Sequence, residues 1–158
     1  MALRGRSGRG RFLACVIMML TAGRVAAFTA EQAQFGAWVF RRQCARCHGA
    51  DGQGKDDAWR GLRAPELVGP GSFPVEPRAY QQIRRREFRS MLDVFWFVSA
   101  SMPADQPASL DPEEYWSVLA FILRSNGMAP DAAALGENTA GEVPAPHREP
   151  GEHAKAGS

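Results

Sequence analysis

The sequence predicts an all-α domain on three observations. Four stretches carry apolar residues at helical spacing behind recognisable N-terminal caps. No stretch alternates apolar and polar residues as a half-buried strand would. The longest connection, from Gly49 to Pro77, is rich in glycine and proline. A compact domain seldom leaves so long a segment without structure of its own, so this one is expected to wrap something other than protein.

Residues 1–27 read as a secretory signal peptide. Arg4, Arg6, Arg9 and Arg11 precede an apolar run from Phe12 to Leu20, and Val25-Ala26-Ala27 offers a cleavage site before Phe28. The run falls short of the roughly 20 apolar residues that span a bilayer, so cleavage is expected ahead of the alternative, an uncleaved membrane anchor, and no other segment is long and apolar enough to span a membrane. Cys15 leaves with this segment, and two cysteines stay. The first 27 residues hold five arginines and no acid, so their loss turns a formal charge of +2 into 14 basic against 17 acidic residues, a net of −3. The basic character thus belongs to the precursor and excludes a nucleic-acid partner as the reading of the charge. Export implies a periplasmic location.

The first helix is predicted from Thr29, with Gln32 at the capping-box position and Phe35, Trp38, Val39 and Phe40 on its stripe, running towards Cys44. A second is expected near Pro77, with Tyr80 and Ile83. A third starts at Ser90, with Asp93 completing its box and Leu92, Val94, Phe95, Phe97 and Val98 as apolar members. The fourth has Asp111 as cap, Pro112 as first helical residue, Glu114 closing the box and Asn126-Gly127 as its stop. Its apolar set is Tyr115, Val118, Leu119, Phe121, Ile122 and Leu123. Arg84-Arg85-Arg86 cannot share one helical face, since three consecutive residues point in different directions, whereas Arg78, Arg85 and Arg89 can; a solvated face is the reading there, ahead of docking to an acidic partner. Residues 130–158 contain four prolines, four glycines, seven alanines and no aromatic, and are expected to be a disordered tail. The domain itself is expected over residues 28–129.

Cys44-Ala45-Arg46-Cys47-His48 is a C-x-x-C-H sequence, the attachment signature of c-type haem. Two thiols three apart on a helical turn can each add to a haem vinyl group, and the adjacent histidine can then supply an axial nitrogen to the iron. A thioredoxin-like pair needs a preceding strand, whereas a helix precedes this one. A structural zinc site needs about four ligands, but beyond His48 only His147 and His153 remain, both in the tail. A lone disulfide leaves His48 unexplained. The cofactor read from the motif is one covalent haem c.

At these residues the sequence resembles class I, mitochondrial-like bacterial cytochromes c, over roughly Phe28 to Ala129. Gly36, Phe40 and Cys44 are spaced by four, as in that family's first helix. Gly49-Ala50-Asp51-Gly52-Gln53-Gly54 resembles its loop after the histidine, and Ala64-Pro65-Glu66-Leu67-Val68-Gly69 its proline–leucine segment. The resemblance implies a cytochrome c fold of three to five helices wrapped around the haem. It implies a close helix crossing at Gly36, with Phe40 and Phe121 packed there. It also implies that the Pro65 carbonyl accepts a hydrogen bond from the second ring nitrogen of His48, and that Leu67 packs on the haem face. Phe97, Met102-Pro103 and Asn126-Gly127 together resemble small cytochromes that serve periplasmic quinoprotein dehydrogenases.

The iron needs a sixth ligand, and with the other histidines in the tail, methionine is the soft alternative. Met91 lies in line with Phe95 and Val98 on the third helix, where packing explains it; Met128 follows the last helix. Met102 lies before Pro103, where the backbone is non-helical, and the resembled family carries its ligand on such a Met-Pro pair. Met102 is the expected ligand.

The function expected is one-electron transfer between a donor such as a periplasmic dehydrogenase and a terminal oxidase or other acceptor, by a carrier and not an enzyme. Between Phe28 and Pro130 stand 12 basic and 12 acidic residues, so brief encounters through an apolar haem-edge patch, as a monomer or transient complex, fit better than strong charge attraction. Two alternatives stay open. One is a haem sensor or peroxidase-like protein whose methionine detaches. The other is a dedicated dehydrogenase subunit tethered by its tail.

Overall fold

The computed structural model describes residues 27–69, 72–73 and 87–146. The expected signal peptide, the helix expected near Pro77, the Arg84-Arg85-Arg86 cluster and both tail histidines lie outside these residues, save that Ala27 and the first part of the wrapping segment are within them. Along the chain come α1 (Ala30–Gln43), α2 (Ala45–His48), β1 (Lys55–Trp59), β2 (Leu62–Ala64), α3 (Met91–Ser101) and α4 (Pro112–Ser125). Among the described residues no helix is long and apolar enough to cross a membrane.

The architecture rests on the crossing of α1 over α4. Gly36 makes that crossing possible. A methyl group added there would meet the Ser117 carbonyl oxygen at 1.7 Å, so the two backbones touch where any side chain would hold them apart. On either side the pairing is apolar. Phe40 is fully buried, and its ring lies 5.0 Å from that of Phe121 at a tilt of 48°. Such a pair contributes about 1 kcal/mol beyond its buried area. Val39, Leu119, Ala120 and Leu123 are buried in the same core. The third helix packs on α4 through Phe95, stacked on Trp116 with centroids 3.7 Å apart and planes 5° from parallel.

Helix starts follow their caps. Ser90 Oγ accepts from Asp93 N at 3.3 Å, and Asp93 Oδ2 accepts from Ser90 N at 2.8 Å, a reciprocal box. The Glu114 carboxylate accepts from Asp111 N at 3.0 Å in the same sense. At α1 the box is only half made. Thr29 Oγ1 accepts from Gln32 N at 3.1 Å, but the Gln32 side chain turns elsewhere, donating to Leu135 O at 2.7 Å and accepting from Leu135 N at 2.8 Å.

That contact introduces a correction. Residues 131–146, expected to be part of a disordered tail, form a strap over the N-terminal ends of α1 and α3. Leu135, Ala140, Val143 and Ala145 are buried in the main core. The strap also supplies what the start of α3 lacks, because the first amide groups of a helix have no partner within it. Met91 N donates to Val143 O at 2.8 Å and Leu92 N to Ala140 O at 3.2 Å. Asp131 N donates to the carbonyl of Phe28, itself fully buried. Composition averaged over the tail hides four apolar residues spaced to fill one gap, and orphaned helix amides offset part of the ordering cost.

A second difference is small. β1 and β2 form an antiparallel hairpin, with Lys55 opposite Ala64 and Trp59 opposite Leu62. Arg60 and Gly61 make its turn with φ of 48° and 73°, the left-handed pair that two-residue hairpins prefer. Asp56 and Asp57 weaken any strand pattern, so the hairpin is set by its turn and by closure of the loop instead of by periodicity. The fold stays helical.

Candidate haem site

Cys44 terminates α1, donating its N–H to Phe40 O at 2.9 Å, and α2 carries Arg46, Cys47 and His48 round one turn. His48 N bonds Cys44 O at 2.9 Å. The turn thus projects both sulfurs and the imidazole from one short helix. Cys44 and Cys47 are half-buried and unjoined by a disulfide. Burial, reinforced by the neighbouring Cys47, pushes the Cys44 thiol up to about 12. A redox-exchange cysteine needs the opposite shift, towards a stable thiolate.

His48 is 9% exposed. Its Nδ1 donates to the Pro65 carbonyl at 2.9 Å. Burial lowers its pKa, with the Pro65 bond opposing more weakly, so the ring is held neutral. A neutral ring with its proton on Nδ1 leaves the Nε2 lone pair free. Among the described residues Nε2 has no hydrogen-bonding partner.

The loop that delivers Pro65 is folded back on the histidine turn. Gly54 N donates to His48 O at 2.8 Å, and Leu67 N and Val68 N both reach Gly52 O, at 2.7 and 3.1 Å. Gly54 has φ of 81°, and a Cβ there would stand 2.7 Å from Ala64 O and 2.8 Å from Glu66 N, so side chain and fold are incompatible. Leu67 is half-buried against the main core. Asn126 fixes the far side of this loop. Its Nδ2 donates to Leu67 O at 2.9 Å and Ile122 O at 3.0 Å, and its Oδ1 accepts from Gly69 N at 3.1 Å and Ser72 Oγ at 3.2 Å. Read from sequence as a helix stop, Asn126 is also the tie between α4 and the wrapping loop.

The three methionines within the described residues differ in setting. Met91 is wholly buried in the core, and Met128 packs against it. Met102 is half-buried, caps α3 in extended conformation (φ −123°, ψ 151°) and belongs to neither group. The following peptide, Met102–Pro103, is cis. The Met102 carbonyl accepts from the Tyr115 hydroxyl at 2.7 Å. Arg46, between the two cysteines, forms an ion pair with Asp105, three residues past Met102. Sequence reasoning placed Tyr115 only in an apolar helix set and passed over Arg46 and Asp105.

Comparison with known proteins agrees with this geometry. The family model described as cytochrome c oxidase, cbb3-type, subunit III matches residues 31–122. The chain is 33% identical over 88 residues to thiosulfate dehydrogenase of Allochromatium vinosum, a match covering 56% of this chain but only 29% of that protein. The chain therefore spans less than a third of this relative's length. Among solved structures, the sulfane dehydrogenase SoxCD of Paracoccus pantotrophus superposes with a TM-score of 0.52 at 24% identity, over 80% of this chain and 68% of that one. That likeness bears on the fold, which is the cytochrome c fold. Thiosulfate dehydrogenase TsdBA of Marichromatium purpuratum gives a TM-score of 0.39 at 29% identity, over 63% of this chain and 18% of that one. The family match covers more than half of the chain, and the protein belongs to this family of cytochrome c domains, whose cofactor is covalently bound haem c.

Proposed function

We propose that Cys44 and Cys47 attach one haem by thioether bonds, that His48 and Met102 are its axial ligands, and that the protein is a periplasmic carrier of single electrons between a dehydrogenase and an oxidase or other acceptor. The residues fit the group. The observation that carries the reading is the buried Nε2 of His48, unpartnered among the described residues while Nδ1 is held by Pro65, on the same turn as Cys44 and Cys47. Met102 is supported as the second ligand because Met91 and Met128 are committed to the core.

Bound haem supplies a one-electron ferric–ferrous couple. The chain's own part is to hold and tune. Pro65 keeps the His48 ring in one tautomer and orientation and raises its basicity. Gly52, Gly54 and Asn126 hold the loop that presents Pro65, so the carbonyl that orients His48 is itself tied down. Leu67 stands two residues beyond Pro65 and is assigned to haem packing.

The test is a redox titration with stopped-flow mixing. A one-electron titration and rapid reduction by a dehydrogenase recovered from periplasm support the carrier. Met102→Ala should lose the sulfur-to-ferric-iron band and drop in potential; an unchanged spectrum and potential would sink that assignment. Carbon monoxide should not bind the reduced protein quickly, and rapid binding would favour a sensor or peroxidase-like role instead.

One observation favours a second reading. The 33% identical relative is a thiosulfate dehydrogenase, an enzyme. On that reading the domain is a working part of a sulfur-compound dehydrogenase. Thiosulfate mixed with the ferric protein separates the two: a carrier stays ferric, whereas reduction with turnover would favour the enzyme.

A further inference from the structure

Met102 is held by groups outside its own helix. Its N–H is spent within α3, on Val98 O at 2.9 Å, while its carbonyl accepts from the Tyr115 hydroxyl at 2.7 Å. Tyr115 lies in the first turn of α4 and is 3% exposed. Its ring is wedged edge-on against Phe95, with centroids 6.4 Å apart and planes 89° to one another, and Phe95 is in turn stacked on Trp116. The hydroxyl therefore has little freedom to leave. It also accepts weakly from Leu110 N at 3.4 Å, so one oxygen joins the two ends of the loop running from residue 102 to residue 110. Within that loop Gln106 N donates to Pro103 O at 2.9 Å, and Asp105 pairs with Arg46. Arg46 stands between the two cysteines of the attachment turn. The Met102 loop is thus fastened at one point to α4 and at another to the turn that carries His48.

We propose that Tyr115 and the Arg46–Asp105 pair are positioning residues for Met102, which hold its loop closed by contacts that do not depend on the sulfur. This rests on the reading that Met102 ligates the iron. Their consequence is selectivity. An external ligand can reach the iron only when Met102 withdraws, and withdrawal needs the loop to move. A loop fastened by a buried hydroxyl and by an ion pair reopens less often than one held by the iron–sulfur bond alone. The two fastenings differ in kind. The Tyr115 bond is sheltered and should not respond to salt, whereas the ion pair is exposed on its Arg46 side and should weaken as salt screens it.

The experiment uses the haem-loaded protein and follows the rate at which imidazole replaces the native ligand in the ferric state. Tyr115→Phe keeps the ring and removes only the donor. It should raise the rate about tenfold, the effect of one net hydrogen bond near the upper end of its usual range. Asp105→Asn and Arg46→Gln, both at surface positions, should raise it by about twofold at low salt and lose that difference at high salt. Met102→Ala is measured alongside. If it keeps the sulfur-to-iron band, the ligand assignment itself fails. If it loses the band while the other three variants bind imidazole at the wild-type rate, Met102 stands as ligand and the positioning role is refuted. A lowered melting temperature with an unchanged imidazole rate would likewise refute it, since that is what a purely structural contact predicts.

Discussion

Replacing Gly36 by alanine tests the helix crossing that the site hangs from. The added methyl would lie 1.7 Å from Ser117 O and 2.3 Å from its carbonyl carbon. Ordinary carbon–oxygen contact begins near about 3.3 Å, so α1 and α4 must separate by roughly 1.5 Å. Both neighbouring atoms are backbone, in the middle of a helix, and neither can swing aside. Separation loosens the contacts of Phe40 with Phe121 and of Val39 with its buried neighbours. Overpacking of this sort costs about 3 kcal/mol at the upper end of its usual range. The gain in helix propensity from glycine to alanine offsets about 1 kcal/mol. The net is a loss of about 2 kcal/mol, or a melting temperature lower by about 10 °C in a domain near 100 residues. Thermal unfolding followed by far-ultraviolet circular dichroism reads it. Gly136→Ala is the control, because nothing lies within 4 Å of a Cβ there. An alanine at position 36 that melts at or above the wild-type temperature would refute the crossing.

Three further outcomes are expected. Leu135→Ala should cost about 3 kcal/mol in chemical denaturation, because Leu135 is 2% exposed; a loose tail would give no change. Asn126→Ala should cost about 2 kcal/mol and speed amide exchange at Gly69, whose N–H loses its acceptor; exchange at the wild-type rate would mean that Asn126 only ends the helix. Burial raises the Tyr115 hydroxyl above its ordinary value of 10.0. Its neutral form is therefore favoured by folding, a contribution present below that value and lost as pH climbs through the raised one. Denaturant midpoints at about pH 9 and about pH 11 should fall less for Tyr115→Phe than for wild type.

The sequence carried the helices clearly because caps and apolar stripes coincide. Ser90 with Asp93, and Asp111 with Glu114, begin α3 and α4 where their spacing says they should. Gly36, Phe40 and Phe121 were legible through family resemblance, and they meet at the crossing. What stayed hidden has a common cause. Gln32, Tyr115 and Asn126 are polar or amphipathic residues at helix ends whose local roles, cap, stripe and stop, already account for them. Their distant partners, Leu135, Met102 and Leu67, are backbone atoms of irregular segments. A carbonyl is present at every position, so no spacing marks which one is used. The strap failed for a related reason, since four small or medium apolar residues in a proline- and alanine-rich stretch bury only once the gap beside α1 and α3 exists.

The most direct test of the account is the intact mass of the exported protein, taken after denaturation and acid–solvent extraction. Cys44 and Cys47 should both be consumed, so the polypeptide keeps its colour and outweighs its bare sequence by one haem, and the Cys44→Ala/Cys47→Ala double variant keeps neither. A wild-type protein that leaves its pigment in the solvent, or that weighs only what its amino acids weigh, would contradict the account.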